Sequence, residues 1–222
     1  MTLAETQIIA AEAEWLERWS TGPTEPQGSS LRSNAPAPNL TLLDHSGRER
    51  TLSEFWADGP ALVMFWRHFG CGCGFERADR LNAEIGDYRA AGLNPVIVGQ
   101  GEPARATAYR DEHQLECTIL CDPDHHAYRA YGIGHWSIER VLPNAPSAFW
   151  DHPRDAGIDF QAARRRQGQP LVDDPWRAVS EFVIGTNGLV RLAYTYQYCE
   201  DYPNPQLLVT AAHLSRAAMG GE

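Results

Sequence analysis

The chain has 222 residues, of which 43% are hydrophobic and 22% are charged, and its formal net charge is -10. These values describe an ordinary globular protein and exclude a fibrous or disordered chain. They also argue against nucleic acid as a partner, because a phosphate-binding surface needs an excess of Lys and Arg. The sequence shows neither a basic leader nor an apolar run of 18 residues, so we expect a cytoplasmic protein without a membrane partner.

The first 38 residues are predicted to hold one helix and a linker. Apolar residues recur at helical spacing between residues 3 and 19, with Glu and Arg between them. Residues 20–38 are rich in Pro, Gly, Ser and Asn and have no periodicity, which is typical of a linker. The main domain is therefore predicted to span residues 39–222.

Strands and helices alternate through the first part of this domain. Strands are predicted at 40–43, 61–66, 95–98 and 118–120, and helices at 75–91, 102–114 and 125–131. The run at 61–66 is apolar at every position and is typical of a strand buried on both faces. Alternation of this kind implies right-handed crossovers and a parallel central sheet.

The pattern changes in the second part of the domain. From about residue 133 to residue 175 the alternation gives way to prolines, aromatic residues and a basic run at 164–166, so we interpret this segment as an insertion. Asn187-Gly188 lies between two apolar runs, which predicts a hairpin with arms at 181–184 and 189–198. A final helix is predicted over 206–218. The predicted fold class is α/β, with a central mixed sheet flanked by helices.

Five cysteines are present, an odd number that does not fit the disulfide framework of a small secreted protein. Cys71 lies where the strand at 61–66 passes into the following helix, and unpaired N–H groups and the helix dipole favour a thiolate there. Arg67 and His68 precede it and are candidates for a nearby positive charge and a proton acceptor. Cys73 follows after a single glycine. The pattern predicts a nucleophilic sulfur at Cys71.

Strand direction predicts that two further cysteines reach the same edge of the sheet. Cys121 ends a strand that should run parallel to 61–66, and Cys199 follows the second arm of the hairpin, which we expect to run the same way. The carboxyl ends of parallel strands form the edge at which α/β sheets bind ligands. Cys117 lies at the other end of its strand and is expected to be structural.

Four groups of residues occur in an order more specific than any one of them. They are Phe65-Trp66-Arg67-His68-Phe69-Gly70-Cys71; Cys121-Asp122-Pro123-Asp124 with Ala127-Tyr128-Arg129-Ala130-Tyr131-Gly132; Asp174-Pro175-Trp176 with Glu181-Phe182-Val183-Ile184; and Tyr198-Cys199-Glu200-Asp201-Tyr202-Pro203. Together they resemble the AhpC/TSA redoxins, and more closely the peroxiredoxin-like proteins, over about residues 35–217. The resemblance implies a thioredoxin-like fold and reduction of a peroxide or disulfide substrate by Cys71. It also implies an external thioredoxin- or glutathione-type reductant and no bound cofactor.

Some positions depart from the pattern of the family that the chain resembles. Met64 and His68 occupy the places of the family's Pro and Thr ahead of Cys71. Val179 stands where the family has an arginine, and Arg177 or Arg67 is expected to substitute for it. The chain also has Cys-Gly-Cys in place of the CxxC motif common in the peroxiredoxin-like group.

Three functional hypotheses follow. In the first, Cys71 attacks a peroxide or disulfide and Cys73, Cys121 or Cys199 resolves the product, which a strained and readily reduced CxC disulfide would suit. The second is a metal or redox sensor that uses the same thiols, although the pair His125-His126 does not form a recognised zinc spacing with them and no metal site is predicted. The third is a redox-silent scaffold whose N-terminal helix and insertion mediate contacts, and a homodimer is left open.

Overall fold

The computed structural model describes residues 3–144 and 146–217, and its centre is a mixed sheet. The strands are β1 (Thr41–Asp44), β2 (Glu49–Thr51), β3 (Ala61–Phe65), β4 (Asn94–Gly99), β5 (Thr118–Cys121), β6 (Ser180–Ile184) and β7 (Val190–Thr195). Their order across the sheet is β2-β1-β5-β4-β3-β6-β7. The predicted α/β class is confirmed. The short strand β2 and a 3-10 turn at Leu52–Phe55 had no counterpart in the prediction.

Helices flank the sheet and also occupy the insertion. They are α1 (Leu3–Thr21), α2 (Gly72–Ala90), α3 (Pro103–Glu112), α4 (His126–Ala130), α5 (Ile138–Val141), α6 (Ala148–Asp151), α7 (Pro153–Arg166) and α8 (Pro205–Ala217). Helices α5 to α7 lie in the segment predicted only as an irregular insertion. The last residue predicted for the final helix, Ala218, lies outside the described residues. Over the described part of the chain, no helix has the length and apolar character needed to cross a membrane.

Strand direction brings three chain segments to one edge of the sheet. Strands β3, β4 and β5 are parallel, whereas β6 runs antiparallel to both β3 and β7. Strand β7 therefore runs in the same direction as β3, as predicted. The carboxyl ends of β3, β5 and β7 consequently lie at the same edge; Cys121 is the last residue of β5, and the segments that follow β3 and β7 carry Cys71 and Cys199.

Strand β3 divides the core into two layers. All five of its residues are buried, because the strand lies inside the sheet and is covered on both faces. Val63 and Phe65 belong to a cluster that includes residues of α1, α4 and the segment that contains the insertion. Leu62 and Met64 belong to the opposite cluster, with residues of α2, α3 and α8. The alternation is the two-residue period of a strand.

The N-terminal segment packs on its own chain. Trp15 and Trp19 of α1 are 1% and 2% exposed, and both rings lie near Phe160 of α7. Helix α1 extends to Thr21, two residues into the predicted linker, and the rest of the linker contains only an isolated bridge between Pro36 and Leu189. Its backbone is held in place, since the N–H of Gly134 donates to the carbonyl of Gln27 at 3.2 Å. The two indoles are thus covered by residues of the same chain.

Candidate active site

Cys71 is the N-cap residue of α2. Its backbone is extended, with φ -79° and ψ 131°, and its carbonyl accepts a hydrogen bond from the N–H of Gly74 at 3.0 Å. The helix begins at Gly72, three residues earlier than Phe75, where the sequence pattern placed its start. The Cys71 sulfur therefore lies at the positive end of a helix dipole, an environment that favours a thiolate.

Three free thiols form a cluster at this helix end. The sulfur atoms of Cys71, Cys73 and Cys199 all lie within 4.8 Å of one another, and those of Cys71 and Cys73 are 2.7 Å apart. Cys73 is buried, whereas Cys71 and Cys199 are half-buried. Tyr202 donates its hydroxyl to the carbonyl of Cys73 at 3.0 Å, and the sulfur of Cys199 lies 3.6 Å from the carbonyl oxygen of Val141. We call these three residues the thiol cluster.

Hydrogen bonding inside the thiol cluster separates the three pKa values. Hydrogen bonds from the thiols of Cys199 and Cys73 hold the pKa of Cys71 well below its ordinary value, and the charge of Arg67 adds to this effect. The hydrogen bonds of Cys73 with Cys199 and Cys71, together with burial, hold the pKa of Cys73 well above the ordinary value. The hydrogen bond to Cys71 raises the pKa of Cys199 to about 11. Of the three thiols, that of Cys71 therefore ionises most readily, and those of Cys73 and Cys199 ionise less readily than an ordinary cysteine.

Arg67 supplies the positive charge beside the thiol cluster. Its side chain is buried, and Nη2 donates to the carbonyl of Pro175 at 2.6 Å. Its Nε and Nη1 are also buried and have no hydrogen-bond partner among the described residues. Burial lowers the pKa of Arg67, but the neighbouring cysteine sulfurs, once ionised, outweigh burial and the net shift is upward. Arg67 therefore stays charged, and its Nε and Nη1 can donate to a ligand or to the Cys71 sulfur.

Neither His68 nor Arg177 adds charge to this cluster. Burial lowers the pKa of His68 to about 4, so its ring is neutral near pH 7. The ring Nδ1 is buried without a partner within the described chain. Arg177 lies elsewhere, where it donates to both carboxylate oxygens of Glu25 at 2.5 and 3.0 Å and contacts His125. Of the two arginines expected to replace the family's arginine, the structure places only Arg67 beside the thiols.

Cys121 follows the predicted strand but does not reach the thiol cluster. Its side chain belongs to the core layer that contains α2 and α3, and burial raises its pKa to about 12. Cys117, which was expected to be structural, is also buried, and burial raises its pKa to about 12. We call Cys117 and Cys121, which are buried in the core outside the thiol cluster, the outer cysteines.

Of the remaining candidates, Arg164 reaches the thiol cluster and His125 does not. His125 hydrogen-bonds Gln100 at 3.0 Å, and no histidine joins the three sulfurs in a metal-binding group among the described residues. From the basic run, Arg164 reaches the site, because its Nη2 donates to the carbonyl of Gly70 at 2.5 Å. It thereby braces the turn that precedes Cys71.

A cavity of about 280 Å³ opens beside Cys71. Its polar wall includes Arg67, His68, Arg164 and the thiol cluster. Its apolar wall is formed by Trp15, Trp19, Val141, Leu142, Phe160, Leu171 and Pro175. Helix α1 and the insertion thus build the apolar side, which sequence reasoning did not predict. The spacing of the two tryptophans, four residues apart on one helix face, was the available signal.

Comparisons with curated proteins identify relatives of this chain. The profile of the AhpC/TSA family matches residues 34–192, which is more than half of the chain and leaves α1 outside. The thioredoxin-like protein AAED1 of Arabidopsis thaliana, described as chloroplastic, is 29% identical over 110 residues, covering 50% of this chain and 44% of that protein. Peroxiredoxin Bcp of Escherichia coli K12 is 21% identical over 103 residues, covering 46% of this chain and 65% of that protein. The matches thus span less than two thirds of each of these relatives.

Solved structures extend the likeness over most of the fold. Peroxidoxin BcpB from Mycobacterium tuberculosis superposes with a TM-score of 0.58 at 13% identity, over 84% of this chain and 97% of that one. A peroxiredoxin-like protein from Aquifex aeolicus gives a TM-score of 0.58 at 13% identity, over 87% of this chain and 92% of that one. At such identities the likeness concerns the fold, and the family follows from the sequence match. The chain therefore belongs to the AhpC/TSA family and has the thioredoxin-like fold of the peroxiredoxin-like thiol oxidoreductases.

Proposed function

We propose that this protein is a thiol-dependent oxidoreductase that reduces peroxides or disulfides through Cys71. The observation that carries the proposal is the placement of the Cys71 sulfur, which lies at the N terminus of α2 with the sulfur of Cys73 only 2.7 Å away. The thiolate is the attacking form of a cysteine, and the lowered pKa of Cys71 favours that form. A cavity gives a substrate access to the same sulfur.

The peroxidase reaction balances with two thiols and one external reductant. The Cys71 thiolate attacks the outer oxygen of the hydroperoxide, the O–O bond breaks, and the departing alkoxide takes a proton from solvent to become an alcohol. Cys71 is then a sulfenic acid. The thiol of Cys73 attacks its sulfur, water leaves, and a disulfide joins Cys71 and Cys73. An external dithiol of the thioredoxin type, or glutathione, restores both thiols by exchange.

Each neighbour of Cys71 has a separate role in this proposal. Cys73 is the resolving thiol because its sulfur is the nearest, and Cys199 is the second candidate because it belongs to the same cluster. Arg67 stabilises the charge that develops on the peroxide oxygens, since its charged guanidinium is buried on the cavity wall beside the thiols. The neutral ring of His68 is a hydrogen-bonding group on the cavity wall.

The cavity favours organic hydroperoxides with an apolar substituent. Its apolar wall combines two indoles, a phenyl ring and aliphatic side chains, and it lies directly beside Cys71. Burial of an apolar group in such a site gains about 25 cal/mol for each Å² removed from water. Hydrogen peroxide cannot use this energy, so we expect a larger kcat/KM for cumene hydroperoxide than for hydrogen peroxide.

The central experiment measures hydroperoxide consumption with thioredoxin or glutathione systems as reductant. Cys71→Ser should abolish turnover, while Cys117→Ser, which removes an outer cysteine, should leave it unchanged. With Cys73→Ser, one equivalent of peroxide should still convert Cys71 to a sulfenic acid that dimedone traps for mass spectrometry. Full turnover by Cys71→Ser would refute the proposal. It would also be refuted if the wild-type protein, with either reductant system, reduced neither peroxides nor disulfides.

A second experiment tests the role of the cavity. Leu142 is half-buried on its wall, so Leu142→Trp should fill part of the space and lower kcat/KM for cumene hydroperoxide at least about tenfold relative to hydrogen peroxide. Ile158→Trp is the matched control, because Ile158 is 47% exposed and does not line the cavity. An equal effect of Leu142→Trp on both substrates would contradict the assignment of the cavity as the substrate site.

A further inference from the structure

We propose that the reduced thiol cluster also binds one Zn²⁺ ion through Cys71, Cys73 and Cys199. The three sulfurs come from two separate segments, the N terminus of α2 and the turn after β7, and they lie within 4.8 Å of one another. Zinc accepts thiolate ligands at about 2.3 Å in tetrahedral geometry, which places its sulfurs about 3.8 Å apart. The cluster is therefore close to the size of a three-cysteine zinc site.

One distance has to change when the ion enters. The sulfurs of Cys71 and Cys73 are 2.7 Å apart and must separate by about 1 Å to reach the tetrahedral spacing. The turn has room for this, because Cys71 is the cap residue and the position next to it, Gly72, has open space where a side chain would begin. The other side of the site is held, since Tyr202 donates to the carbonyl of Cys73 and Tyr109 donates to that of Gly74.

The charge of the surroundings selects a divalent ion. Three thiolates and one Zn²⁺ carry a net charge of -1, which the buried guanidinium of Arg67 balances. Arg164 and Glu200 also line the cavity, and their opposite charges offset each other. Burial of an uncompensated charge is costly, and a monovalent ion such as Cu⁺ would leave one more negative charge in the site. Arg67 also has two buried N–H groups without partners within the described residues, which suits donation to thiolate sulfur from the outer shell.

The donor set and the cavity define the kind of site. All three ligands are sulfur, which favours thiophilic ions and disfavours Mg²⁺ and Ca²⁺. The sulfurs all line the cavity, so a fourth coordination position is open to water. Binding requires all three cysteines as thiolates, whereas turnover oxidises Cys71 and joins it to Cys73 in a disulfide. Zinc occupancy and peroxide turnover therefore exclude each other.

The test uses reduced, full-length protein under anaerobic conditions and does not require turnover. Zinc is titrated in competition with a chromophoric chelator, and Co²⁺ is used in parallel because its thiolate charge-transfer band reports sulfur coordination directly. We expect one ion per chain. Cys199→Ser should weaken binding more than about 100-fold, since even outer-shell partners contribute 10- to 100-fold. Cys117→Ser and Cys121→Ser, the matched controls, should bind like the wild-type protein.

Three outcomes would overturn this inference: no zinc retained by the wild-type protein against the chelator, unchanged affinity of Cys199→Ser, or equal loss in the outer-cysteine controls. Cys199→Ala serves as a second variant that lacks this ligand. The circular dichroism of Cys199→Ser and Cys199→Ala verifies that a loss of zinc affinity reflects the missing sulfur and not a failure to fold. Failure of the zinc site leaves the peroxidase proposal intact, because that proposal is judged by peroxide consumption alone. Absence of peroxidase activity likewise leaves the zinc titration unaffected.

Discussion

The ion pair between Arg77 of α2 and Glu181 of β6 lies in the core below the thiol cluster. Arg77 Nε donates to Glu181 Oε1 at 2.8 Å and Nη2 donates to Oε2 at 3.2 Å, with side chains only 5% and 1% exposed. The hydroxyl of Tyr196 donates to the same carboxylate at 2.6 Å. Arg77 shares the walls of a small cavity with Cys73 and Arg67, so the pair also supports the site.

We expect Arg77→Met to lower the free energy of unfolding by about 3–5 kcal/mol. The substitution keeps most of the buried aliphatic volume but removes the cation, and one hydroxyl donor does not compensate a buried carboxylate. In a chain of this length, 1 kcal/mol corresponds to a change in Tm of about 2–4 °C, so the expected decrease is roughly 6–20 °C.

A double-mutant cycle with Glu181→Gln measures this effect by urea unfolding. The double variant should be more stable than the sum of the two single changes predicts, because it removes the orphaned charge together with its former partner. Arg154→Met is the control: Arg154 pairs with Glu17 at 2.6 Å on the surface, and its loss should cost less than about 1 kcal/mol. Arg77→Met within about 1 kcal/mol of the wild-type protein would refute the reasoning.

Three further predictions follow from other parts of the molecule. Iodoacetamide at pH 7 should modify Cys71 well before the outer cysteines, whose pKa values burial raises to about 12, and peptide mapping would reveal a reversed order. Burial lowers the pKa of His125 to about 4 against about 6.5 when unfolded, so the unfolded chain binds the extra proton first as the pH falls. The contribution of this group to the free energy of unfolding is complete above pH 6.5 and decreases by up to roughly 3 kcal/mol towards pH 4. Over the same pH range His125→Asn should lose less free energy of unfolding than the wild-type protein. Equal losses in urea unfolding would contradict this assignment. Gly134→Ala should destabilise the fold by about 1–3 kcal/mol, because the new Cβ would lie 1.8 Å from the carbonyl oxygen of Pro26. Gly86→Ala is the control: its Cβ would meet no atom outside the adjacent helix backbone within 4 Å, so this change should stabilise α2 slightly. Equal melting temperatures of the two variants would contradict the prediction.

Much of the sheet was predictable because its signals are local. The apolar run that became β3 and the Asn187-Gly188 turn gave the central strand and the hairpin, and parallel direction then brought Cys199 to the edge that carries Cys71. The same argument failed to bring Cys121 into the cluster, because direction fixes the edge of the sheet but not its face. The side chain of Cys121 points into the layer of α2 and α3.

The insertion was harder to predict for two physical reasons. Helices α5 and α6 have four residues each, which is too short for a 3.6-residue period to be recognised. Helix α7 did carry signals, with Pro153 at its first turn and basic residues in its last turn, but the prolines around it obscured them. The choice of Arg67 over Arg177 depends on tertiary contacts to Glu25 and Pro175, which no local pattern contains.

The stacked indoles at the cavity give the chain an intrinsic optical probe. The ring centroids of Trp15 and Trp19 are 5.2 Å apart and those of Trp19 and Trp176 are 4.8 Å apart, with nearly parallel planes. Trp15 and Trp19 line the same cavity as the reactive sulfur. Indole emission depends on what touches the ring, so entry of a molecule can be followed in real time by fluorescence, without a label on either partner.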